Sequence, residues 1–140
     1  MVVEFQGLTP LIQVFDMPAS IRFYRDVLGF VVVTASGPVP DCGWALLRRN
    51  TDEIMLNTQY EDEDRPAVPD ESRRKTHNDT CFYFGCYDLD AAYAHLQANG
   101  VAAQKPSVAP YGMRQLYFTD PDGFNLCFQH PVSEGTVEST

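Results

Sequence analysis

Nowhere does the chain hold an apolar run approaching the roughly 20 residues that a membrane helix needs, so no membrane partner is expected. Its opening residues, Met1-Val2-Val3-Glu4-Phe5, have neither the basic start nor the long apolar stretch of a secretory signal. Cysteine is sparse and unpatterned. The four, at positions 42, 81, 86 and 127, match neither a zinc knuckle nor a redox pair, and without an export signal they read as reduced thiols of a cytoplasmic protein. Positive charge is scarce as well: 10 Lys and Arg stand against 19 Asp and Glu, a formal net charge of −9. Nucleic acid needs a basic footprint for its phosphates, so it is excluded as a partner. The acidic balance serves solubility first and also permits a cationic ligand.

What is present is ordinary globular material, 44% hydrophobic over 140 residues, enough to bury a real core. It is organised as a repeat. Val14-Phe15-Asp16-Met17-Pro18-Ala19-Ser20, running on to Leu28-Gly29-Phe30, is echoed by Cys86-Tyr87-Asp88-Leu89-Asp90-Ala91-Ala92, running on to Gly100-Val101. The two aspartates are 88 − 16 = 72 residues apart.

Each copy opens on an alternating apolar stretch suited to a strand. An Asp follows where a helix N-terminus wants a carboxylate for its unpaired N–H groups, and Pro18 fits a first helical turn. Ile21, Tyr24 and Leu28 predict one buried helical stripe, Leu89, Ala92 and Leu96 the other, with Gly29 and Gly100 as stops. Three strand-like runs follow each helix: Phe30 to Ala35, Trp44 to Arg48 and Ile54 to Asn57, then Val101 to Gln104, Arg114 to Thr119 and Phe124 to Gln129. Asp120-Pro121-Asp122-Gly123 is a strong turn signal, and Asn50-Thr51-Asp52 occupies its place in the first copy. The expected organisation is one domain of two βαβββ modules, about 7–59 and 77–131, with an exposed linker over 60–76 and a frayed tail over 132–140.

Val14 to Phe30, Asp88 to Tyr93 and Phe118-Thr119-Asp120-Pro121-Asp122-Gly123-Phe124-Asn125-Leu126 carry a resemblance that spans nearly the whole chain. In these stretches the sequence resembles the vicinal oxygen chelate superfamily of glyoxalases, bleomycin-resistance proteins and extradiol dioxygenases. The resemblance implies an α+β fold of two tandem βαβββ modules, forming curved mixed sheets with a concave cleft, and a homodimer. In metal-dependent relatives, four ligands project from the concave faces. Carried over residue by residue, their positions fall on Thr9, Met55, Cys81 and Cys127. That set is poor for a divalent ion seeking carboxylate and imidazole; its thiols and thioether would suit only a soft ion such as copper(I). The pattern is closest to metal-free, bleomycin-resistance-like members, and no metal or other cofactor is expected.

Strand alternation locates the face on which a ligand would lie. In phase with the replaced ligands are Thr9, Leu11 and Gln13; Glu53, Met55 and Asn57; Cys81 and Tyr83; Asn125, Cys127 and Gln129. Out of phase are Ile12, Val14, Ile54, Leu56, Phe82, Phe84, Leu126 and Phe128, uniformly apolar and suited to packing under the helices. The first set is mixed, and a closed core would not carry so many polar groups at about 1–3 kcal/mol for each left unpaired.

Trp44, Tyr60, Tyr111 and Met113 fall beside that face, placed to stack on a ligand. The ligand-binding set expected is Gln13, Trp44, Glu53, Met55, Asn57, Cys81, Tyr83, Tyr111, Met113 and Cys127. His77, His95 and His130 are scattered without a relay partner, so no catalytic residue is assigned. The reading is a metal-free binder of a flat or cationic small molecule, held in a dimer cleft. The alternatives are a glyoxalase-like lyase or dioxygenase, whose chemistry rests on the metal that these positions no longer support, and a binder of an ordinary metabolite. Arg48 and Arg114 are the two cations on strands adjoining the face.

Overall fold

Asp16 and Asp88, the repeat-related aspartates, each cap a helix that follows a short strand. In the computed structural model, which describes residues 2–60 and 62–132, Asp16 Oδ1 accepts from Ala19 N at 3.2 Å and Asp88 Oδ1 from Ala91 N at 3.0 Å. These bonds satisfy N–H groups that the first helical turn cannot pair internally. The chain falls into two compact units, one up to Pro69 and one from Asp70.

The first unit runs β1 (Leu11–Gln13), α1 (Met17–Ile21), a π-helical turn (Arg22–Val27), β2 (Val31–Ala35), β3 (Trp44–Arg49) and β4 (Asp52–Asn57). Its sheet has the order β1-β4-β3-β2, with β1 parallel to β4 and the other pairs antiparallel. A 3₁₀ turn, Asp62–Asp64, follows. The second unit holds α2 (Glu71–Thr76), a 3₁₀ turn (His77–Asp79), β5 (Cys81–Gly85), α3 (Leu89–Ala98), β6 (Ser107–Val108), β7 (Met113–Thr119) and β8 (Asn125–Pro131). Its sheet order, β5-β8-β7-β6, has the same connectivity. The architecture is α+β, with one four-stranded mixed sheet per copy of the repeat.

Alternation puts the apolar residues of each sheet on its helix side. Ile12, Ala45, Leu47, Ile54 and Leu56 are buried in the first unit together with Met17, Ile21, Phe23 and Tyr24 of its helical segment. Leu116, Phe118 and Leu126 are buried in the second with Leu89 and Leu96 of α3. Phe128 joins them through edge contacts with Phe84 and Phe118 at 5.7 and 4.9 Å between ring centres. Gly29 and Gly100 end the helical segments at φ +84 and +74, a conformation that a Cβ makes costly.

Three local expectations change. The first helix is α only to Ile21 and then widens into the π-helical turn, in which Leu28 N donates to Phe23 O at 3.0 Å. The wider turn lets the neighbours Phe23 and Tyr24 both bury, which a 3.6-residue stripe does not provide for. The strand expected over Val101 to Gln104 is reduced to a bridge from Ala103 to Phe118, and regular pairing is made instead by Ser107–Val108. Pro106 lies between the two and has no N–H to offer a ladder.

The segment expected as a linker over 60–76 holds α2, whose residues are all exposed. Asp70 caps that helix, with Ser72 N donating to its side chain at 3.0 Å. Arg74 Nη1 donates to Pro121 O at 2.7 Å, and beyond the helix His77 Nδ1 donates to Asp122 O at 2.7 Å with its ring stacked 4.0 Å from Phe124. The segment therefore clasps the Asp120–Gly123 turn. Glu61 and residues 133–140, most of the expected tail, lie outside the described residues.

Candidate functional site

The face of each sheet turned away from its helix resolves into rows that cross three strands. In the first unit, Gln13, Asn57 and Trp44 are opposed on β1, β4 and β3, and Asn57 Nδ2 donates to Gln13 Oε1 at 3.1 Å. The next row is apolar: Leu11, Met55 and Leu46. The third is ionic. Glu53 opposes Arg48, accepts from its Nη2 at 2.7 Å and its Nε at 3.1 Å, and accepts from Thr9 Oγ1 at 3.4 Å.

Arg48, one of the two cations on strands adjoining the face, therefore turns onto it and compensates Glu53. A two-pronged Arg pair occupies the acceptor that a cation would use. Arg114 opposes His130, out of phase with this set, and its Nη2 pairs with Asp90 at 3.0 Å.

The second unit repeats the pattern with different chemistry. Gly85, Gln129 and Gln115 form the first row across β5, β8 and β7. Gln115 Nε2 donates to Gln129 Oε1 at 3.0 Å and to the Tyr111 hydroxyl at 2.9 Å. Tyr83, Cys127 and Tyr117 form the second; Cys81, Asn125 and Thr119 the third.

The hydroxyls of Tyr83 and Tyr117 lie 3.2 Å apart although β8 separates their strands. Meeting there requires both rings to lean over the residue between them. That residue is Cys127, and it is fully buried, so its thiol is not the ligand-facing group expected from strand phase. The accessible surface of this row belongs to Tyr83, which is 53% exposed, and to Tyr117.

All but two of the expected site residues lie in these rows. Tyr111 joins through Gln115, and Met113 opposes Pro131 at the end of β7. Tyr60 packs edge-on against Phe15, with ring centres 5.8 Å apart. Arg48, Gln115 and Tyr117 are additions, and the alternation of Gln115, Tyr117 and Thr119 with Leu116 and Phe118 was a signal for the last two.

The Tyr83–Tyr117 contact has a titration signature. The hydrogen bond from Tyr83, and then burial, push the Tyr117 phenol well above the ordinary tyrosine range. An acid whose pKa is raised by folding contributes its full stability below the unfolded value, about 10 for tyrosine, and loses it as pH rises beyond that. Ultraviolet titration is expected to show the Tyr117 phenol resisting ionisation until the alkaline unfolding transition. Tyr83→Phe should bring that phenol back toward the ordinary range. A Tyr83→Phe titration in which no phenol returns to the ordinary range would show the pair to be absent.

The four positions that the resemblance assigns to metal ligands do not fit a divalent ion. Thr9 is a hydroxyl engaged with Glu53, and Met55 is a thioether flanked by Leu11 and Leu46. Cys81 and Cys127 are thiols whose pKa values burial pushes up, away from the thiolate that a metal binds. Among the described residues, no group of three or more His, Cys, Asp or Glu is placed to hold a metal ion.

Two units of one repeat, each a βαβββ sheet with its own capped helix and a polar outer face, define a duplicated-module α+β protein. The chain belongs to the Glyoxalase/Bleomycin resistance protein/Dioxygenase superfamily, whose family model matches residues 7–128. It is 30% identical over 116 residues to the "Uncharacterized protein YaeR" of Escherichia coli (strain K12), covering 79% of this chain and 84% of the relative.

Similar solved structures include a glyoxalase/bleomycin resistance protein/dioxygenase from Nocardioides, with TM-score 0.67, 21% identity, and coverage of 99% of this chain and 92% of that one. Another is TnmS3, an antibiotic binding protein from Streptomyces sp. CB03234, with TM-score 0.60, 23% identity, and coverage of 89% and 96%. At these identities the likeness shows the fold. Among the described residues, no helix is long and apolar enough to cross a membrane.

Proposed function

We propose that this protein binds a flat small molecule without a metal, on the outer faces of its sheets, and works in the cytoplasm as a homodimer. One observation carries the reading: the positions where a packed sheet would place apolar side chains hold amides, phenols and an indole, namely Gln13, Asn57, Trp44, Tyr83, Gln115, Tyr117 and Gln129. Ring faces accept a flat surface, and amides and hydroxyls bond its polar edge. Two structural neighbours are named for this group of functions, one of them an antibiotic binding protein, which agrees with the reading.

The Arg48–Glu53 pair moves the expected ligand toward neutral rather than cationic chemistry. Metal independence is supported by the donor set at Thr9, Met55, Cys81 and Cys127. A homodimer is supported by the open outer edges β1 and β2 of the first sheet and by Val31 and Val33, both exposed on β2, because unpaired strand edges favour coverage by a second copy. The four cysteines form no disulfides, which suits a reducing compartment.

The test has two parts. Protein prepared without chelators should carry no stoichiometric zinc, iron, nickel or manganese by elemental analysis. A thermal-shift screen should raise the melting temperature with planar aromatic compounds, by an increment that grows as RT ln(1 + [L]/Kd). One metal per chain would overturn metal independence. A screen with no stabilising compound would overturn the binding role.

A further inference from the structure

We infer that the recognition element of the ligand is an amide-type edge, a neutral planar group presenting one N–H donor beside one carbonyl acceptor, as in a carboxamide, lactam, imide or nucleobase. This rests on the small-molecule reading and narrows it. In each unit the first row of the outer face contains two amide side chains bonded to one another: Asn57 to Gln13 at 3.1 Å, and Gln115 to Gln129 at 3.0 Å. Asn57 and Gln129 are repeat mates, 129 − 57 = 72, so the arrangement stands at the same place in both copies although the partner comes from β1 in one and β7 in the other.

A primary amide has one carbonyl and one NH₂ group. Bonding two of them by a single N–H···O leaves a carbonyl on one and an NH₂ on the other facing outward. Turning both amides over exchanges their roles and leaves the same outward pair. Among the described residues, no other protein partner takes Gln13 Nε2, Asn57 Oδ1, Gln115 Oε1 or Gln129 Nε2. In the second unit, Tyr111 also takes a hydrogen from Gln115 Nε2, which leaves the Gln115 carbonyl as its outward atom.

None of these atoms is fully buried without a partner, the state of Arg65 Nε alone among the described residues; Gln13, Asn57 and Gln129 are half-buried, and Gln115 is buried. Beside Gln129 the row continues into Gly85, where an added Cβ would meet nothing within 4 Å. There is room next to the amide pair. Beside Asn57 stands Trp44, a flat apolar neighbour for the ring that carries the edge. No charged side chain lies in either row, so a complementary ligand edge is neutral and carries both a donor and an acceptor. An N,N-dialkyl amide lacks the donor, a carboxylate has acceptors only, and an amidinium has donors only. Each leaves one protein group unpaired, the situation in which a polar site discriminates most strongly.

Calorimetry and protein-observed NMR with four probes that share one ring test the inference: benzamide, N,N-dimethylbenzamide, benzoate and benzamidine. Benzamide is expected to bind about tenfold or more tighter than each of the others, and to shift the side-chain NH₂ signals of Gln129 and Gln13. Gln129→Glu presents an oxygen where an NH₂ stood and should transfer the preference of the second unit to benzamidine. Gln13→Glu, which likewise replaces the accepting amide and its outward NH₂, should do the same in the first, so one variant suffices if the other fails to fold. Equal binding of the four probes, or an order that both variants leave unchanged, overturns the amide-edge inference while the small-molecule reading stands. So does silence from all four when the thermal-shift screen finds ligands without such an edge. Silence in both experiments removes the reading and the inference together.

Discussion

Tyr24→Ala is expected to destabilise the folded protein by about 3–5 kcal/mol, the cost of emptying a buried aromatic site. Tyr24 is fully buried, and its ring meets Phe23 at 5.1 Å and Phe30 at 6.0 Å between centres, both edge-on. The π-helical turn places it there, with Phe30 N donating to Tyr24 O at 2.9 Å. The alanine variant would leave a cavity walled by Phe23 and Phe30, whose backbone positions are fixed by that turn and cannot collapse fully. Chemical denaturation reads the effect as a lower midpoint. Tyr24→Phe keeps the ring and its edge contacts and should cost only about 1 kcal/mol. A loss below about 1 kcal/mol for the alanine variant would mean that the ring is not part of the packed core.

The second large effect is expected at a polar residue. Asp120 is 3% exposed, and its Oδ1 accepts from Asp122 N at 2.9 Å and from Phe124 N at 3.0 Å. Asp120→Ala removes one acceptor and orphans two backbone donors inside the turn, at about 1–3 kcal/mol for each buried group left unpaired. A combined loss of about 2–4 kcal/mol is expected, with Asp120→Asn milder because it keeps one oxygen. Hydrogen exchange at Asp122 and Phe124 should accelerate in the alanine variant along with the stability loss. Unchanged exchange at both amides would show that the carboxylate does not hold the turn. The Arg74 and His77 bonds to Pro121 and Asp122 depend on the same turn, so the variant should also loosen α2.

What could be read from the sequence, and what could not, separates by the range of the interaction that decides it. The repeat was legible because its signals are local: an Asp cap, a following glycine stop and an Asp-Pro-Asp-Gly turn recur at a constant offset. The outer faces of β1, β4, β5 and β8 were legible because strand phase is local too, and Gln13, Asn57 and Met55 lie where phase put them. Cys127 obeyed the phase and is nevertheless hidden, because Tyr83 and Tyr117 reach it from strands 34 residues apart in sequence. Glu53 was placed on the face and Arg48 on an adjoining strand, but that the two oppose one another depends on the register of β3 against β4. The helix α2 buries none of its residues and so shows no apolar period; its docking on a turn 47 residues away was invisible until the fold brought the two together. The π-helical turn hid behind an α-helical stripe that Ile21, Tyr24 and Leu28 already satisfied.

Each sheet is bonded wholly within its own copy of the repeat, and in each the last long strand, β4 or β8, lies between the first strand and the rest. This bears on the order in which a growing chain acquires structure. Among the described residues, no strand of the first sheet waits for a partner beyond Asn57, so its ladder becomes available while the second copy is still being synthesised. Until β4 emerges, however, β1 has no neighbour at all, and β2 and β3 can form only an antiparallel ribbon. The arrival of residues 52–57 is thus the commitment step for the first half, and Asn125–Pro131 plays the same part for the second. A pause after residues 52–57 have left the ribosome should be harmless, whereas a pause while β2 and β3 are out and β4 is still inside would leave a two-stranded ribbon exposed.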